Sequence, residues 1–319
     1  MGSISDSKGS QHVVVTGGSG FIGSGLVRRL DDAGVRVVST YRTEPSPSLP
    51  DSVDQVPFTV GSLVRAFNKA HTVVHLAART GGIEFQQRQP FELFFSNRAL
   101  TDTVLRAVVD SQTRKLIIAS TAAVYAPSSK PLSERARTVD LTTTTSAYVA
   151  GKSLDEIVVG LVRRTSHTNV ITTRIGNVYG EGGHFDAERS SVIHALIRRA
   201  VDARETGRLV AWGSPQTVRS FVHVDDVADA LALLITGDPS EHIYNVDSGV
   251  AVTVGRVATL IAECAAPGSK VTFDHSRPRG DPYRVLSIGR LMTLGFKPKV
   301  DLEEGIARTV KAFVNEQEG

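Results

Sequence analysis

Two short stretches of this sequence carry residue types that could do chemistry together. Tyr148 and Lys152 are four residues apart, so on a helix they share one face. An ammonium beside a phenol lowers the pKa of the phenol, which could then move a proton to or from a carbonyl oxygen. The same ammonium could help to hold a nicotinamide ribose. Far upstream, the glycine-rich residues 16–23 follow an apolar run and could hold a dinucleotide. Together the two stretches predict redox chemistry on a bound small molecule.

The glycine-rich stretch can bind a dinucleotide only if it joins a strand to a helix. Its glycines allow a tight turn and a close approach of the backbone to the pyrophosphate, which the first amides of the helix then face. The apolar residues 13–15 predict the strand, and the apolar spacing over residues 21–33 predicts the helix. This context favours a dinucleotide site over a plain glycine turn. The predicted cofactor contacts here are Gly17, Gly20, Phe21, Ile22 and Gly23.

The end of the second predicted strand, residues 35–40, bears on the choice between NAD and NADP. An acidic residue there would bind the ribose 2′-hydroxyl of NAD, but the sequence has Tyr41 and Arg42 instead. Arg42 could pair with a 2′-phosphate, to which Ser39 or Thr40 could also hydrogen-bond, and this favours NADP. The alternative is that Arg42 is a solvated surface charge.

Predicted strands and helices alternate through the first half of the chain and place these motifs in one sheet. Strands are predicted at residues 13–15, 35–40, 72–76, 115–120 and 170–173, and helices at 21–33, 91–109 and 147–163. This alternation predicts an α/β fold of the Rossmann type with a doubly wound parallel sheet. The later half is irregular, with helices predicted at 191–204 and 224–236, strands at 209–212 and 219–223, and a closing helix. The loop 128–146 is long enough to be a functional lid.

The composition is that of an ordinary globular enzyme. The 319 residues are 41% hydrophobic and 22% charged, and the net charge of +3 comes from scattered basic residues. This pattern argues against nucleic acid as a partner but suits an anionic substrate. The single Cys264 excludes an internal disulfide and a cysteine-rich zinc site, and its helical apolar context predicts a buried packing role. With no secretory signal and no membrane-length apolar run, we expect a cytoplasmic protein without membrane contact.

Six segments in the right order resemble the extended short-chain dehydrogenase/reductase family. They are residues 16–23, 75–78, 120–121 with 124–125, 148–152, 177–180 and 219–226. The resemblance implies a catalytic hydroxyl at Thr121 acting with Tyr148 and Lys152, and cofactor contacts at Leu76, Ala77 and Ala78. It also implies a Rossmann domain over residues 11–175, to which residues 214–242 return, and a smaller nucleotide-sugar domain over 176–213 and 243–319. Residues 1–10 are expected to be a disordered leader.

Within that family the chain is most similar to GDP-fucose synthases, from residues 81–84, Pro90, Asn97, 192–199, 211–213 and 277–282. Two departures matter, because those enzymes use a Cys and a His to epimerise carbons 3 and 5. Ala123 and Ser191 stand at these positions, so no such epimerisation is predicted. His184 or His194 could compensate, although neither is in the matching register. Sugar 4,6-dehydratases carry Asp-Glu where this chain has Ala122 and Ala123, which argues against dehydration, whereas 4-epimerases remain open.

The substrate residues follow from the same resemblance and from phosphate chemistry. Asn177 matches a position that contacts the nucleotide-sugar phosphate, and guanidinium groups suit a pyrophosphate. The predicted substrate contacts are Asn177, Val192, Arg199, Trp212, Arg219 and Arg284. Each arginine alone could equally form a surface salt bridge, and Trp212 could equally belong to the core. His223, Asp225 and Asp226 are expected to cap the following helix, and no metal site is predicted.

The principal hypothesis is an NADPH-dependent 4-ketoreductase of a dTDP- or GDP-linked 4-keto-6-deoxyhexose in deoxysugar biosynthesis, including that of antibiotics. Tyr148 would donate the proton, Lys152 would tune it and bind the ribose, and Thr121 would bind the keto oxygen. The first alternative is an NAD-dependent nucleotide-sugar 4-epimerase, and the second is a non-catalytic dinucleotide-binding scaffold. A homodimer is expected, paired through the helices predicted at 91–109 and 147–163.

Overall fold

The protein is described by a computed structural model covering residues 12–81, 83–186, 190–277 and 280–318. The predicted leader 1–10, Gly82 and residues 278–279 of the fucose-synthase-like segments lie outside these ranges. The strands are β1 (His12–Thr16), β2 (Arg36–Tyr41), β3 (Asp54–Pro57), β4 (Thr72–His75), β5 (Lys115–Thr121), β6 (Asn169–Ile175), β7 (Asn177–Tyr179), β8 (Arg208–Trp212), β9 (Val218–Arg219), β10 (Phe221–His223), β11 (Ile243–Val246), β12 (Val252–Thr253), β13 (Lys270–Asp274) and β14 (Tyr283–Arg284). The helices are α1 (Phe21–Asp32), α2 (Val60–Phe67), α3 (Ile83–Arg88), α4 (Pro90–Asp110), α5 (Ala147–Thr165), α6 (Val192–Thr206), α7 (Val224–Thr236), α8 (Val254–Ala265), α9 (Gly289–Thr293) and α10 (Leu302–Glu318).

A seven-stranded sheet forms the centre of the molecule. Its order is β11-β6-β5-β4-β1-β2-β3, and every neighbouring pair is parallel. The order reverses between β1 and β4, and in such sheets ligands bind at the carboxyl ends of the strands beside that reversal. The predicted fold class, a Rossmann-type doubly wound sheet, is therefore confirmed.

Helices cover both faces of the sheet, which explains why its strands are continuous apolar runs rather than alternating ones. Val13, Val14 and Val15 are fully buried, because odd and even positions each meet a helical layer. On one face α1 packs against α7, and on the other α2, α4 and α5 form a second layer. These layers hold the strand ends in fixed register, and the site is built on those ends.

A second apolar cluster lies beyond the sheet and belongs to the later half of the chain. It joins α6, α8 and α10 with β8 and β13, and contains Ile193, Ile197, Ile261 and Val310. The ring of Phe313 near the end of α10 stacks on Phe185, with centroids 4.2 Å apart. This cluster matches the smaller α/β unit expected from the sequence.

Three expectations need correction. The segment Ile243–Val246 was expected in the smaller unit, but it pairs in parallel with β6 as the edge strand of the central sheet. The segments β3 and α2 were not predicted. Cys264 is exposed rather than buried, because the buried face of α8 centres on Ala258, Ile261 and Ala265.

The loop between β5 and α5 is fastened to its surroundings. The amide of Leu132 donates to the carbonyl of Val285 at 2.8 Å, and the side-chain amide of Asn245 donates to the carbonyl of Leu132 at 2.8 Å. Within the loop, the amide of Ala126 donates to the carbonyl of Arg137 at 3.0 Å. The loop that was expected to be a lid is thus hydrogen-bonded to β11 and to Val285, which follows β14. No helix in the described ranges is both long enough and apolar enough to cross a membrane.

Candidate active site

The glycine-rich turn lies at the switch point of the sheet and touches the end of β4. Gly17 has φ +76°, a left-handed conformation, and a Cβ there would be 2.7 Å from the amide nitrogen of Ala77. A Cβ on Gly23 would overlap the carbonyl oxygen of Gly17. The amide of Gly20 donates to that same carbonyl at 3.0 Å and starts α1. Only glycine fits at Gly17 and Gly23, and the resulting cradle fits a pyrophosphate.

The end of β4 is fixed beside this turn. The amide of Leu76 donates to the carbonyl of Thr16 at 3.0 Å. Three residues further on, Asn97 of α4 bonds both the amide and the carbonyl of Arg79, at 2.7 and 2.9 Å. Leu76, Ala77 and Ala78 are therefore held along the open side of the turn, and their partial exposure leaves them accessible to a cofactor.

The end of β2 presents one cation. Arg42 is exposed and makes no hydrogen bond or ion pair with another described residue, and Tyr41 beside it is partly exposed. Ser39 and Thr40 are buried, and the Ser39 hydroxyl faces Gly18 without a partner among the described residues. The sequence left open hydrogen bonds from Ser39 or Thr40 to a 2′-phosphate. Both side chains are buried, so they do not reach the surface where such a phosphate would lie. Arg42 is the exposed group at this strand end.

The predicted catalytic hydroxyl, phenol and ammonium come together at the end of β5. Thr121 is the last residue of that strand, and its hydroxyl lies near enough to Tyr148, in the first turn of α5, to lower the pKa of that phenol. The Ser146 hydroxyl caps this helix by accepting from the amide of Val149 at 3.3 Å. Lys152, one turn later and 7% exposed, donates to the carbonyl of Ala119 at 3.1 Å. The cap and the strand thus orient all three groups.

Thr121 rather than Ser120 supplies the hydroxyl. Ser120 donates to Glu156 at 2.5 Å on the inner side of the strand, and Glu156 in turn holds Arg174 at 2.6 Å. Since neighbouring residues on a strand point to opposite faces, Thr121 faces the site while Ser120 belongs to this internal ion pair. Thr121 is the hydroxyl that the resemblance implies, and its catalytic role stays a prediction.

The electrostatics of the pair differ from the sequence expectation in one respect. Burial is the largest influence and raises the pKa of Tyr148. The Thr121 hydroxyl lowers this pKa, and the charge of Asp155 raises it. Burial also lowers the pKa of Lys152, against which Asp155 and Glu156 raise it. The phenol is therefore held in its protonated form, rather than being made more acidic as expected from Lys152 alone. A protonated phenol beside a second hydroxyl can donate a proton to a carbonyl oxygen.

Two arginines stand side by side next to this site. Arg219 of β9 and Arg284 of β14 are direct neighbours across parallel strands. Burial lowers the pKa of Arg219, and the charge of Arg284 lowers it further. Arg284 hydrogen-bonds the carbonyls of Ala122 and Tyr125, just beyond Thr121, and pairs with Asp281. The carboxylate of Asp281, which pairs with Arg284, raises the pKa of Arg219 and offsets part of this repulsion.

The remaining predicted substrate residues lie on the later half of the chain. The guanidinium of Arg199 lies 3.8 Å from the centre of the Trp212 ring, and that of Arg277 lies 4.7 Å from it. Val192 begins α6 and is 40% exposed. Asn177 at the start of β7 donates its side-chain amide to the carbonyl of Ser220 at 2.9 Å, directly beside Arg219.

The histidines near α6 and α7 are engaged in the fold. His194 is 2% exposed and its Nε2 lies 2.9 Å from the carbonyl oxygen of Gly180. That nitrogen therefore carries the proton, and Nδ1 accepts from the Ser191 hydroxyl at 2.8 Å. His223 caps α7 through the amide of Asp225, as expected, at 3.2 Å. Within the described part of the chain, no cluster of His, Cys, Asp or Glu is placed to hold a metal ion.

Sequence reasoning missed a buried carboxylate in this site. Asp155 lies three residues after Lys152 with its Oδ2 3.9 Å from the ammonium, and its side chain is 5% exposed. His75, noticed only as part of a motif, is 2% exposed and bonds Thr16 at 2.7 Å. The spacing of Lys152 and Asp155 was the available signal, but on a helix it describes surface ion pairs equally well.

Comparisons with known proteins agree with this architecture. The model of the NAD dependent epimerase/dehydratase family matches residues 13–247. A dTDP-4-dehydro-6-deoxy-D-allose reductase from Streptomyces sp is 32% identical over 94% of this chain and 95% of its own. A GDP-L-fucose synthase from Sinorhizobium fredii is 28% identical over 96% of both chains. The structure of the Thermus thermophilus UDP-glucose 4-epimerase in complex with NAD has a TM-score of 0.80 at 29% identity, covering 95% of this chain and 99% of that one.

Proposed function

Since the chain belongs to the NAD dependent epimerase/dehydratase family, as its motifs predicted, we propose that it is an NADPH-dependent 4-ketoreductase. Its substrate would be a dTDP- or GDP-linked 4-keto-6-deoxyhexose, and its place would be in deoxysugar biosynthesis. Relatives named for a dTDP-linked reductase and for GDP-fucose synthesis support both the sugar class and the two candidate nucleotides.

The observation that carries the proposal is the protonated phenol of Tyr148 beside the Thr121 hydroxyl. Burial and then Asp155 raise the pKa of Tyr148, so at neutral pH the group is an acid. Reduction of a ketone needs a proton donor at the carbonyl oxygen, whereas oxidation of an alcohol needs a base. The protonated phenol of Tyr148 therefore supplies the acid that the reductive direction needs.

Each residue of the site has a defined task in that reaction. The nicotinamide cofactor supplies the hydride when it is bound. Tyr148 gives its proton to the oxygen of the sugar C4 carbonyl, and Thr121 hydrogen-bonds to the same oxygen, so that two fixed donors meet the charge that develops there. Lys152 keeps its ammonium beside the ribose and supports Tyr148 electrostatically. The cradle at Gly17 and Gly23 holds the pyrophosphate.

The preference for NADPH rests on Arg42. It is the exposed cation at the end of β2, where an acidic residue that would bind the 2′-hydroxyl of NAD is missing. Arg42→Ala is expected to raise the KM for NADPH about tenfold or more and to leave that for NADH nearly unchanged, since a charged hydrogen bond contributes about 1.5–3 kcal/mol. Arg65→Ala, which removes an exposed arginine from α2, is the matched control.

The nucleotide part of the substrate would lie along β9, β14 and α6. The adjacent guanidiniums of Arg219 and Arg284 suit its diphosphate, with Asn177 beside them. Trp212, against which Arg199 is stacked, offers a surface for the base. Because Arg284 also bonds the backbone just beyond Thr121, the sugar would extend from the diphosphate toward the catalytic hydroxyls.

Epimerisation at carbons 3 and 5 is not part of the proposed reaction. Ala123 has no ionisable group, and Ser191 donates its proton to His194. Both ring nitrogens of His194 are occupied within the fold, and burial lowers its pKa. This arrangement supports the prediction that His194 does not replace the missing acid/base pair.

The experiment follows absorbance at 340 nm with freshly generated dTDP- and GDP-4-keto-6-deoxyhexoses, each with NADPH and with NADH. Oxidation of NADPH by the wild type is expected, with a 10²–10⁴-fold loss of kcat in Tyr148→Phe. Tyr244→Phe is the control, because Tyr244 is a buried residue of β11 whose hydroxyl accepts from the amide of Glu241. No oxidation of either cofactor with any of these sugars would contradict the proposal.

A second candidate is a nucleotide-sugar 4-epimerase that recycles bound NAD. The similarity to the Thermus thermophilus UDP-glucose 4-epimerase in complex with NAD favours it. NAD that survives purification, together with interconversion of 4-epimers without net cofactor use, would establish this function. Stoichiometric NADPH consumption would exclude it.

We also propose that two copies pair through α4 and α5. These helices pack against each other and expose a row of large apolar side chains. Phe91 is 70% exposed, Phe95 65%, Ile157 55% and Leu161 52%. An apolar row of this size on two adjacent helices is the kind of surface that proteins bury against a partner.

A further inference from the structure

Asp155 is a buried carboxylate held by three groups from two helices. Its Oδ1 accepts from Nη1 of Arg98 at 2.8 Å, and its Oδ2 accepts from the hydroxyl of Thr101 at 3.1 Å. The same Oδ2 lies 3.9 Å from Nζ of Lys152. Arg98 and Thr101 come from α4, so Asp155 connects the catalytic helix to its neighbour. Burial raises the pKa of Asp155, and these three partners lower it, so they are the groups that favour the ionised carboxylate.

A directed chain of hydrogen bonds runs from Asp155 to the cofactor turn. Thr101 gives its proton to Asp155, so its oxygen can accept from Nε2 of His75, at 3.5 Å. Burial and then the charge of Lys152 lower the pKa of His75 to about 3, which keeps the ring neutral. Its Nδ1 therefore accepts from the hydroxyl of Thr16 at 2.7 Å, directly before Gly17. The carboxylate thus fixes the direction of every bond in the chain.

Charges around Lys152 make Asp155 its principal counter-ion. From α4, Arg98 faces the carboxylate and is shared with Asp102 at the surface. From β4, only the neutral His75 faces the ammonium. Asp155 raises the pKa of Lys152 most after burial lowers it.

The other nearby carboxylate is already paired. Glu156 also follows Lys152 on α5, but it forms a close ion pair with Arg174 of β6 and accepts from Ser120. Tyr148, one turn before Lys152, feels the charge of Asp155 as well. Loss of the Asp155 carboxylate would therefore leave the buried Lys152 without its nearest counter-ion, whereas Arg98 would keep Asp102.

The geometry points to Asp155 as a positioning residue that holds the Lys152 ammonium, in its charged form, where it meets the cofactor ribose. The ammonium donates to the carbonyl of Ala119 at 3.1 Å. The charge of Asp155, 3.9 Å away, favours the protonated form of Lys152 at that position. This inference rests on the proposed function only for what Lys152 does to the substrate, because binding of the ribose needs no turnover.

The test is the pH dependence of cofactor affinity in Asp155→Asn. NADPH and NADH, in parallel series, are titrated by the fluorescence of the bound reduced nicotinamide across the alkaline range. Affinity should fall as Lys152 loses its proton, and in Asp155→Asn this fall should occur at least about one pH unit lower. Asp102→Asn, which removes the exposed partner of the same Arg98, should leave the wild-type profile. An alkaline fall at the same pH in Asp155→Asn and wild type would overturn the inference.

A second measurement separates this inference from the proposed reaction. The alkaline limb of kcat for keto-sugar reduction should move in the same direction, because Tyr148 and Lys152 both lose their protons more readily without the carboxylate. A shifted affinity profile without turnover on any sugar would reject the reductase and keep the positioning role. Turnover on a keto sugar, with the pH profiles of cofactor affinity and of kcat both unchanged in Asp155→Asn, would keep the reductase and reject the positioning role.

Folding of the variant is controlled by removing both charges of the pair. If Asp155→Asn does not fold, the double variant of Asp155→Asn with Arg98→Gln also removes the arginine that has lost its partner Asp155. The same affinity titration on this double variant should again show the lower alkaline fall. If neither variant folds, Asp155 serves the fold alone and the inference is wrong.

Discussion

Replacing Asp247 by Asn should flatten the pH dependence of stability. Asp247 follows β11, is 1% exposed and lies against Gly176, beside Ser220. Its carboxyl accepts from the Ser220 hydroxyl at 2.8 Å and from the amide of Ser248 at 2.6 Å. Burial is the largest influence on its acidity and outweighs these hydrogen bonds, so the pKa of Asp247 is raised to about 6.

The size of the effect follows from linkage. The folded protein binds the Asp247 proton more tightly than the unfolded chain, whose pKa has the ordinary value of 3.8. The free energy of unfolding therefore falls as the pH rises between these two pKa values, and the loss is complete above the folded pKa. At 1.36 kcal/mol per pKa unit, the total loss in the free energy of unfolding is about 3 kcal/mol. About half of this loss arises between roughly pH 5 and 7.5. Asparagine does not titrate and lacks this slope.

Urea unfolding of wild type and Asp247→Asn at pH 5 and at pH 7.5 measures it. Other titrating groups are common to both proteins and cancel in the difference between them. Relative to wild type, the variant should be more stable at the higher pH than at the lower one by about 1–2 kcal/mol. The altered hydrogen bond to Ser220 adds an offset that is the same at both pH values. A difference constant to within about 0.5 kcal/mol, which extrapolation error permits, would refute the reasoning.

Three further outcomes are expected. Gly23→Ala forces a methyl group onto the carbonyl of Gly17, so it should lower the free energy of unfolding by about 1–3 kcal/mol and weaken cofactor binding. Thermal unfolding and fluorescence titration measure these two effects. Gly25→Ala, whose methyl meets nothing closer than 3.8 Å, should cause neither, and equal effects in the two variants would contradict the turn geometry. Arg219→Met should raise the KM for the nucleotide sugar about tenfold or more with little change in kcat, and an unchanged KM would place the diphosphate elsewhere. Phe95→Glu should halve the molecular mass found by light scattering. Met292 is an exposed residue on α9, and Met292→Glu should leave the mass unchanged. A mass that is unaltered in both variants would reject pairing through α4 and α5.

The sheet was predictable because its strands are short apolar runs bounded by turn residues, and because the glycine-rich turn fixes what precedes and follows it. β3 escaped prediction, since Asp54–Pro57 is a polar edge strand that ends in proline. β11 was assigned to the wrong unit for a different reason. The four residues Ile243–Val246 do not themselves indicate which sheet they join, and their partner β6 lies far away in the sequence.

The site was predictable where chemistry and spacing agree. Thr121, Tyr148 and Lys152 lie together, and His223 caps its helix as expected. What could not be read from the sequence is burial, which turns an ordinary Asp155 into a counter-ion and raises the pKa of Tyr148 rather than lowering it. Cofactor and substrate contacts, for which the structure supplies positions but no ligand geometry, stay predictions.

The position of α10 has a consequence for how the chain folds as it is synthesised. The central sheet is complete once Val246 has emerged, but the apolar cluster of the later half closes only when Ile306, Val310 and Phe313 pack into it. At ~5–20 residues per second, a nascent chain waits for several seconds between these events. During that interval the nucleotide-binding half can fold while α6 and α8 present an open apolar surface. Chaperone binding during translation should therefore concentrate on α6 and α8 and end when the last helix is released.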